Sequence, residues 1–233
     1  MTDFTDADLE LLTTWDTPTI CNALELVAPH RRATGFTVRP MVCLDPARKP
    51  IVGRARTATI RAMDTPSRSA AELRKARIAY YEHVASGAGS TVTVIQDIDP
   101  EPGFGAFWGE VNTAVHKGLG SLGAVTNGSM RDLDDCAPGF QLLAGEVGPS
   151  HAHVHVVDFG QPVNVCGMAV RNDDIVHADR HGAVVIPPEV VTELPAAVDL
   201  LTRREAVILE CARSPGFDIE RLRQAMSDSA DIH

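Results

Sequence analysis

One stretch constrains this chain more than any other: GFGAFWGEVNTAVHKGLGSLGAVTNGSMRDLDD, residues 103–135. A glycine-rich loop opens a helix from about Trp108 to Lys117, with Val111, Ala114, Val115 and Leu119 as its apolar face. Gly118 and Gly120 stop the helix, a strand from Leu122 to Thr126 follows at once, and Asn127-Gly128-Ser129 makes a turn. A helix of this size rises roughly 15 Å, and the strand covers roughly 17 Å. A strand that runs back along the helix therefore returns its carboxyl end to the helix amino end. Arg131 and Asp132 then arrive beside Glu110. Free backbone N–H groups and the positive dipole end collect at such a helix start, which binds carboxylate or phosphate. An anion-binding helix end, a guanidinium and two carboxylates in one pocket suit a divalent metal with a small keto acid. The same residues also fit a surface Arg-Asp ion pair and a glutamate that merely complements the helix dipole.

Around this stretch helices lead and trail, with many short strands between. Residues 6–27 carry Leu9, Leu12, Ile20, Ala23 and Leu24 at helical spacing, broken near Asp16, with Thr17-Pro18 as a cap. IVGRARTATIRA (51–62) and STVTVIQD (90–97) are strands, separated by a helix over 69–85. Further strands are expected near 141–144, 151–159, 163–165 and 183–186. Pro187-Pro188 opens a helix through Val191, Leu194, Val198 and Leu201, continued over 203–212, and a last helix covers 219–226. The pattern predicts one α/β domain across residues 1–233, with a compact, mostly β middle.

Composition narrows the partners. Lys plus Arg number 21 against 31 Asp plus Glu, a net charge of −10 without any basic block, so nucleic acid is not expected as a ligand. No apolar run approaches the length of a membrane span. The amino terminus, with Asp3, Asp6, Asp8 and Glu10, is no secretory signal or presequence, and a cytoplasmic location is expected. Cys21, Cys43, Cys136, Cys166 and Cys211 are scattered and without CxxC spacing, as for free thiols rather than a zinc site.

Four blocks resemble the RraA-like family: DTPTICNALE (16–25), VGRARTATI (52–60), WGEVNTAVHKGLGSLGAVTNGSMRD (108–132) and DDIVHADRHGAVVIP (173–187). That family includes the 4-hydroxy-4-methyl-2-oxoglutarate/4-carboxy-4-hydroxy-2-oxoadipate aldolases and the regulators of ribonuclease E activity. In its aldolase branch an acid precedes an Arg-Asp pair by twenty intervening residues, as Glu110 does here, and Asp135 fits a further acidic position. The acid is often Asp in the family, so Glu110 is a longer variant.

The resemblance implies a swivelling β/β/α sandwich-type fold with a central β core and flanking helices. It implies a class II pyruvate aldolase with oxaloacetate decarboxylase side activity. Asp132 would ligate Mg²⁺ or Mn²⁺, Arg131 would hold the keto oxygen, and Glu110 would order waters of the ion. Backbone amides of Gly109, Glu110, Val111 and Asn112 would take the pyruvyl carboxylate. A neighbouring subunit's carboxylate completes the family site, with Glu205 the candidate and Glu210 the alternative, in a trimer or dimer of trimers. A non-catalytic regulator that docks its acidic surface on basic protein segments is the alternative function.

Other features stay open on sequence alone. His151, His153 and His155 alternate; on a strand the outer two stand ~13 Å apart, too far for one ion, so a polar strand face or a subunit contact is expected ahead of a metal-chelating pair. His177 and His181 flank Asp179 in what the resemblance implies is an architectural turn, with a site-lining role as the alternative. Trp108 suits either a pocket wall or a subunit contact, and Arg56 and Arg61 either solvated strand ends or anion contacts.

Overall fold

Local chemistry explains where the helices begin. The computed structural model describes residues 4–233, so Asp3 lies outside the described residues. Thr5 caps α1 (Asp6–Leu12) in a reciprocal capping box with Asp8. Asp16, not Thr17, caps α2 (Thr17–Val27) by accepting the Thr19 N–H at 2.9 Å, and Pro18 sits in the first turn. Thr17 is recruited elsewhere: its N–H donates to Asp179 Oδ2 at 2.9 Å and its hydroxyl lies 3.0 Å from His177 Nδ1.

A two-residue strand, β1 (Val42–Cys43), precedes the long β2 (Ile51–Arg61). Helix α3 (Ala70–Ala85), capped by Ser69 with Glu72, leads into β3 (Thr91–Asp97). Then come β4 (Ala106–Trp108), α4 (Glu110–Gly118), β5 (Ser121–Thr126), β6 (Ser129–Met130), β7 (Gln141–Ala144) and β8 (Glu146–Val147). The second half holds β9 (His155–Phe159), β10 (Val163–Val165), β11 (Met168–Val170), β12 (Ile175–Asp179) and β13 (Gly182–Ile186). It closes with α5 (Leu194–Arg213) and α6 (Ile219–Ala230).

The spine is β2. One edge pairs in parallel with β3 from Arg54↔Thr91 to Ile60↔Asp97. Its other edge is shared, with β12 antiparallel over the first residues and β9 antiparallel over the last. The main sheet runs β1-β7-β5-β3-β2-β12-β13, with β3, β5 and β7 parallel and β1 and β13 antiparallel to their neighbours. A smaller sheet, β4-β6-β8, is all parallel. Helices α1, α2 and α5 bury Leu9, Leu12, Ile20, Leu24, Leu194 and Val198 against β12 and β13. The β10–β11 hairpin packs Val163, Val165 and Met168 over the centre of the sheet. Tyr80, Phe107, Trp108, Met130 and Phe140 form the core beneath α3 and α4. The result is a mixed α/β fold of curled sheet and flanking helices.

Several expectations need correction. Trp108 ends β4 rather than starting the helix, whose N-cap is Gly109. The buried face of α4 is Thr113 and His116, while Val111 is 70% exposed, because the helix presents its polar side to an aromatic pocket able to bond it. Ser129 leaves the turn to pair with Ala106. His151 and His153 lie in a loop before β9, and His177 is a buried residue of strand β12 rather than of a turn. Pro187-Pro188 opens only a single 3-10 turn, so α5 begins at Leu194. The last helix reaches Ala230 instead of Met226.

Candidate functional site

Two very short parallel strands set the site. Ala106↔Ser129 and Trp108↔Met130 pair, and the Arg131 N–H donates to the Trp108 carbonyl at 2.9 Å. Gly109, which follows β4, thereby lies against Arg131 and Asp132, which follow β6. A Cβ built on Gly109 would stand 2.5 Å from Asp132 Oδ2 and 3.2 Å from Arg131 Cγ. A methyl group there would push the Asp132 carboxylate aside. The Glu110 N–H points at Asp132 Oδ2 at 3.4 Å, and Arg131 Nε pairs with the same oxygen at 3.3 Å. The first intrahelical bond runs from Thr113 N–H to the Gly109 carbonyl, which leaves the Val111 and Asn112 amides without intrahelical acceptors.

Asp132 sits in the left-handed region at φ 52°, with its carbonyl accepting from Asp135 and Cys136 N–H. Aspartate tolerates this conformation better than most residues, at a cost of about 1 kcal/mol. The turn aims the carboxylate back at the helix start. Ala152, at φ 46°, lines the same cleft of ≈ 530 Å³.

Gly109, Val111, Asn112, Arg131 and Asp132 line this cleft. The Glu110 side chain is exposed and does not, so only its backbone joins the group. Asp135 is exposed and outside the cleft. Glu205 lies on the exposed side of α5 and lines no part of its own chain's cleft; Glu210 is also exposed. Trp108 is neither a cleft wall nor an outer contact: it is fully buried, its ring 4.6 Å from that of His116. Arg56 is a buried tie, paired with Asp173 at 2.8 Å and bonded to the His83 carbonyl and the Ser86 hydroxyl.

The structure also brings in residues that the sequence did not assign to the site. His151, His153 and His155 line the cleft, because Gly105 lets the His151 carbonyl approach closely and the His153 N–H donates to the Ala62 carbonyl. Leu73, Arg77 and Tyr81, spaced i, i+4, i+8 on α3, form the outer wall. That periodicity was present in the sequence, yet nothing local tied it to residues 109–132. Tyr81 donates to Asn112 Oδ1 at 2.9 Å and Asn112 Nδ2 donates to the Phe107 carbonyl, which consumes the Asn112 side chain and leaves its backbone N–H for a ligand.

Behind the helix, His116 donates from Nδ1 to the Asn112 carbonyl at 2.6 Å and accepts at Nε2 from the Tyr80 hydroxyl at 2.6 Å. Burial pushes the His116 pKa from 6.5 down to about 4. Its folded pKa is depressed, so its contribution to stability is complete above about 6.5 and disappears as pH falls through about 4. The contribution is about 3 kcal/mol. His177, also lowered by burial, acts in the same direction. Urea unfolding should show the protein losing stability steadily from pH 7 to pH 4, with the His116 ring still neutral by NMR at pH 5.5.

A family model described as Aldolase/RraA matches residues 17–185. The chain belongs to the RraA-like family. This family holds both aldolases and inhibitors of ribonuclease E. An uncharacterized protein of Methanocaldococcus jannaschii is 31% identical over 112 residues, which is 44% of this chain and 54% of that relative. The match thus spans about half of the relative's length. An uncharacterized protein from Pseudomonas syringae pv. tomato superposes with a TM-score of 0.69 at 20% identity, covering 97% of this chain and 99% of that one. Streptomyces coelicolor RraAS2, described as an unusual member of the RNase ES inhibitor RraA family, gives a TM-score of 0.67 at 24% identity over 85% of this chain and 95% of its own. These likenesses speak for the fold. No helix among the described residues is long and apolar enough to cross a membrane.

Proposed function

We propose that this RraA-like protein is a divalent-metal-dependent carbon–carbon lyase that cleaves 4-hydroxy-2-oxo acids, such as 4-hydroxy-4-methyl-2-oxoglutarate, to pyruvate, and decarboxylates oxaloacetate as a side reaction. The observation that carries this reading is the Gly109 contact: a helix start, a carboxylate and a guanidinium converge so closely that a methyl group on Gly109 would displace the carboxylate.

The donor set suits Mg²⁺ or Mn²⁺. Asp132 offers a hard oxygen, and no group of three His, Cys, Asp or Glu side chains that could hold a metal exists among the described residues. A cation that keeps most of its waters matches one protein carboxylate, and zinc with its Cys/His preference does not. Asp132 would hold the ion, which when bound supplies Lewis-acid polarisation of the keto group.

The chain's own groups account for the rest. The Val111 and Asn112 amides and the helix dipole hold the 2-oxo acid carboxylate. Arg131 donates to the keto oxygen as negative charge grows there. Loss of the 4-hydroxyl proton lets the C4–O electrons form a C4=O carbonyl as the C3–C4 bond breaks. The C4 half leaves as a carbonyl compound, and the bond's electron pair passes into the pyruvyl half as an enolate. A proton returned at C3 then gives pyruvate. Glu110, exposed at the mouth, exchanges these protons through water.

The site is also proposed to be completed by a second copy, through Glu205 or Glu210, in a trimer or dimer of trimers. Val111 and Leu133, both exposed apolar residues beside the cleft, support a covered mouth. The acidic charge of −10 favours one other reading, a regulator that binds basic protein segments.

A coupled assay of pyruvate release from 4-hydroxy-4-methyl-2-oxoglutarate and oxaloacetate tests the proposal. Activity should vanish with EDTA and return with Mg²⁺ or Mn²⁺. Activity indifferent to chelation, or stoichiometric zinc by elemental analysis, contradicts it. Light scattering should give a multiple of the 25.0 kDa chain mass; an active monomer removes the shared site.

A further inference from the structure

The cleft is basic in an acidic protein. Of its lining residues Asp132 alone is acidic, against Arg77, Arg131 and the three histidines. Arg131 is already paired with Asp132. Among the described residues Arg77 has no ion pair. None of its helical neighbours at i±3 and i±4 (Leu73, Arg74, Tyr80, Tyr81) is acidic, and Glu72 is committed to the Ser69 cap, with Oε2 accepting from both the N–H and the hydroxyl of Ser69. Arg77 stands between Leu73 and Tyr81 on the cleft face of α3. Tyr81 is bonded to Asn112, which fixes that face of the helix relative to the amides at the start of α4.

In the same lining, His155 Nδ1 donates to the His153 carbonyl at 2.8 Å, which makes its Nε2 an acceptor with no hydrogen to give an anion. The His153 ring has no hydrogen-bond partner among the described residues. A cation with no ion pair and the His153 imidazole, which keeps one ring N–H to donate in either tautomer, share one lining and offer a place for negative charge. Arg77 stands one turn along α3 from Tyr81, which is bonded to Asn112 at the start of α4.

We infer that Arg77 is a specificity-determining residue: it pairs with a second oxyanion of the substrate, at the end remote from the 2-oxo acid, with the His153 ring N–H as a second donor in the same cleft. The inference rests on the lyase reading for the placement of the first carboxylate. A planar guanidinium takes either a carboxylate or a phosphorus oxyanion in two parallel hydrogen bonds. The shared chemistry is therefore a terminal oxyanion.

The test is titration calorimetry with Mg²⁺ present, using pyruvate, 2-oxoglutarate and phosphonopyruvate on wild type and on Arg77→Gln and Arg77→Lys. Arg77 is exposed, so both variants should fold and melt like wild type. Arg77→Gln should weaken 2-oxoglutarate or phosphonopyruvate about tenfold to a hundredfold and leave pyruvate affinity unchanged. The compound that loses more identifies carboxylate or phosphorus as the preferred oxyanion, and Arg77→Lys should recover part of the loss. Equal weakening of all three compounds, or none, overturns the role of Arg77 while pyruvate binding leaves the lyase reading intact. Wild type that binds no pyruvate overturns both.

Discussion

Asp132→Ala is expected to reduce pyruvate release to below roughly one-thousandth of wild type while the chain still folds. Asp132 is part-exposed, and alanine at its φ of 52° costs about 1 kcal/mol more than aspartate, enough to lower the melting temperature by a few degrees and too little to unfold the chain. It is also the one carboxylate that the cleft offers a cation. Arg131→Ala should lower kcat roughly 10²-fold, since its charge meets the keto oxygen most strongly as the enolate forms. Arg131→Lys should rescue little, because a point charge does not reproduce the planar fork. Glu110→Gln should keep pyruvate-analogue binding and slow proton exchange. Steady-state kinetics beside thermal melts check the whole series.

Gly109→Ala should be nearly as damaging, although it adds a single methyl group. The position is extended, φ −175°, so alanine adopts it without backbone strain. The damage is spatial: the new Cβ would lie 2.5 Å from Asp132 Oδ2 and 3.3 Å from Asp132 Cγ. The carboxylate must move, and Arg131, paired to it, moves too. A displacement near 1 Å in such a site costs about 10²-fold in rate, whereas stability should change by less than about 1 kcal/mol. A normal melting temperature with kcat/KM lowered about 10²-fold is the expected signature. Adding Gly109→Ala to Asp132→Ala should cost almost nothing more, because both act on one carboxylate.

The central juxtaposition was legible in the sequence, though not by the route that forms it. The lengths of α4 and β5 place Arg131 near Glu110 on arithmetic alone. The contact is in fact made by β4 and β6, of three and two residues, too short to leave an alternation pattern. The apolar face assigned to α4 was reversed for a related reason. Val111 and Val115 obey helical spacing, but His116 and Thr113 are buried because Tyr80, the Asn112 carbonyl and the Gly109 carbonyl bond them. Periodicity counts apolar atoms and does not register a polar side chain whose partners arrive from another helix. His177 was misplaced for the same cause: its partners are Thr17 and the carbonyls of Leu12 and Trp15, some 160 residues away in the chain. The histidine run and Arg77 join the cleft only through long-range packing on β2 and β9, which no local pattern encodes.

Solvent exchange of the pyruvate methyl protons tests the central claim most directly, because it isolates enolisation from bond cleavage and from the identity of the larger substrate. In D₂O with Mg²⁺, wild type should exchange these protons, EDTA should stop the exchange, and Arg131→Ala and Asp132→Ala should fail to support it. Absence of exchange in wild type, or exchange at the wild-type rate in both variants, would contradict a keto-acid site at Gly109, Arg131 and Asp132.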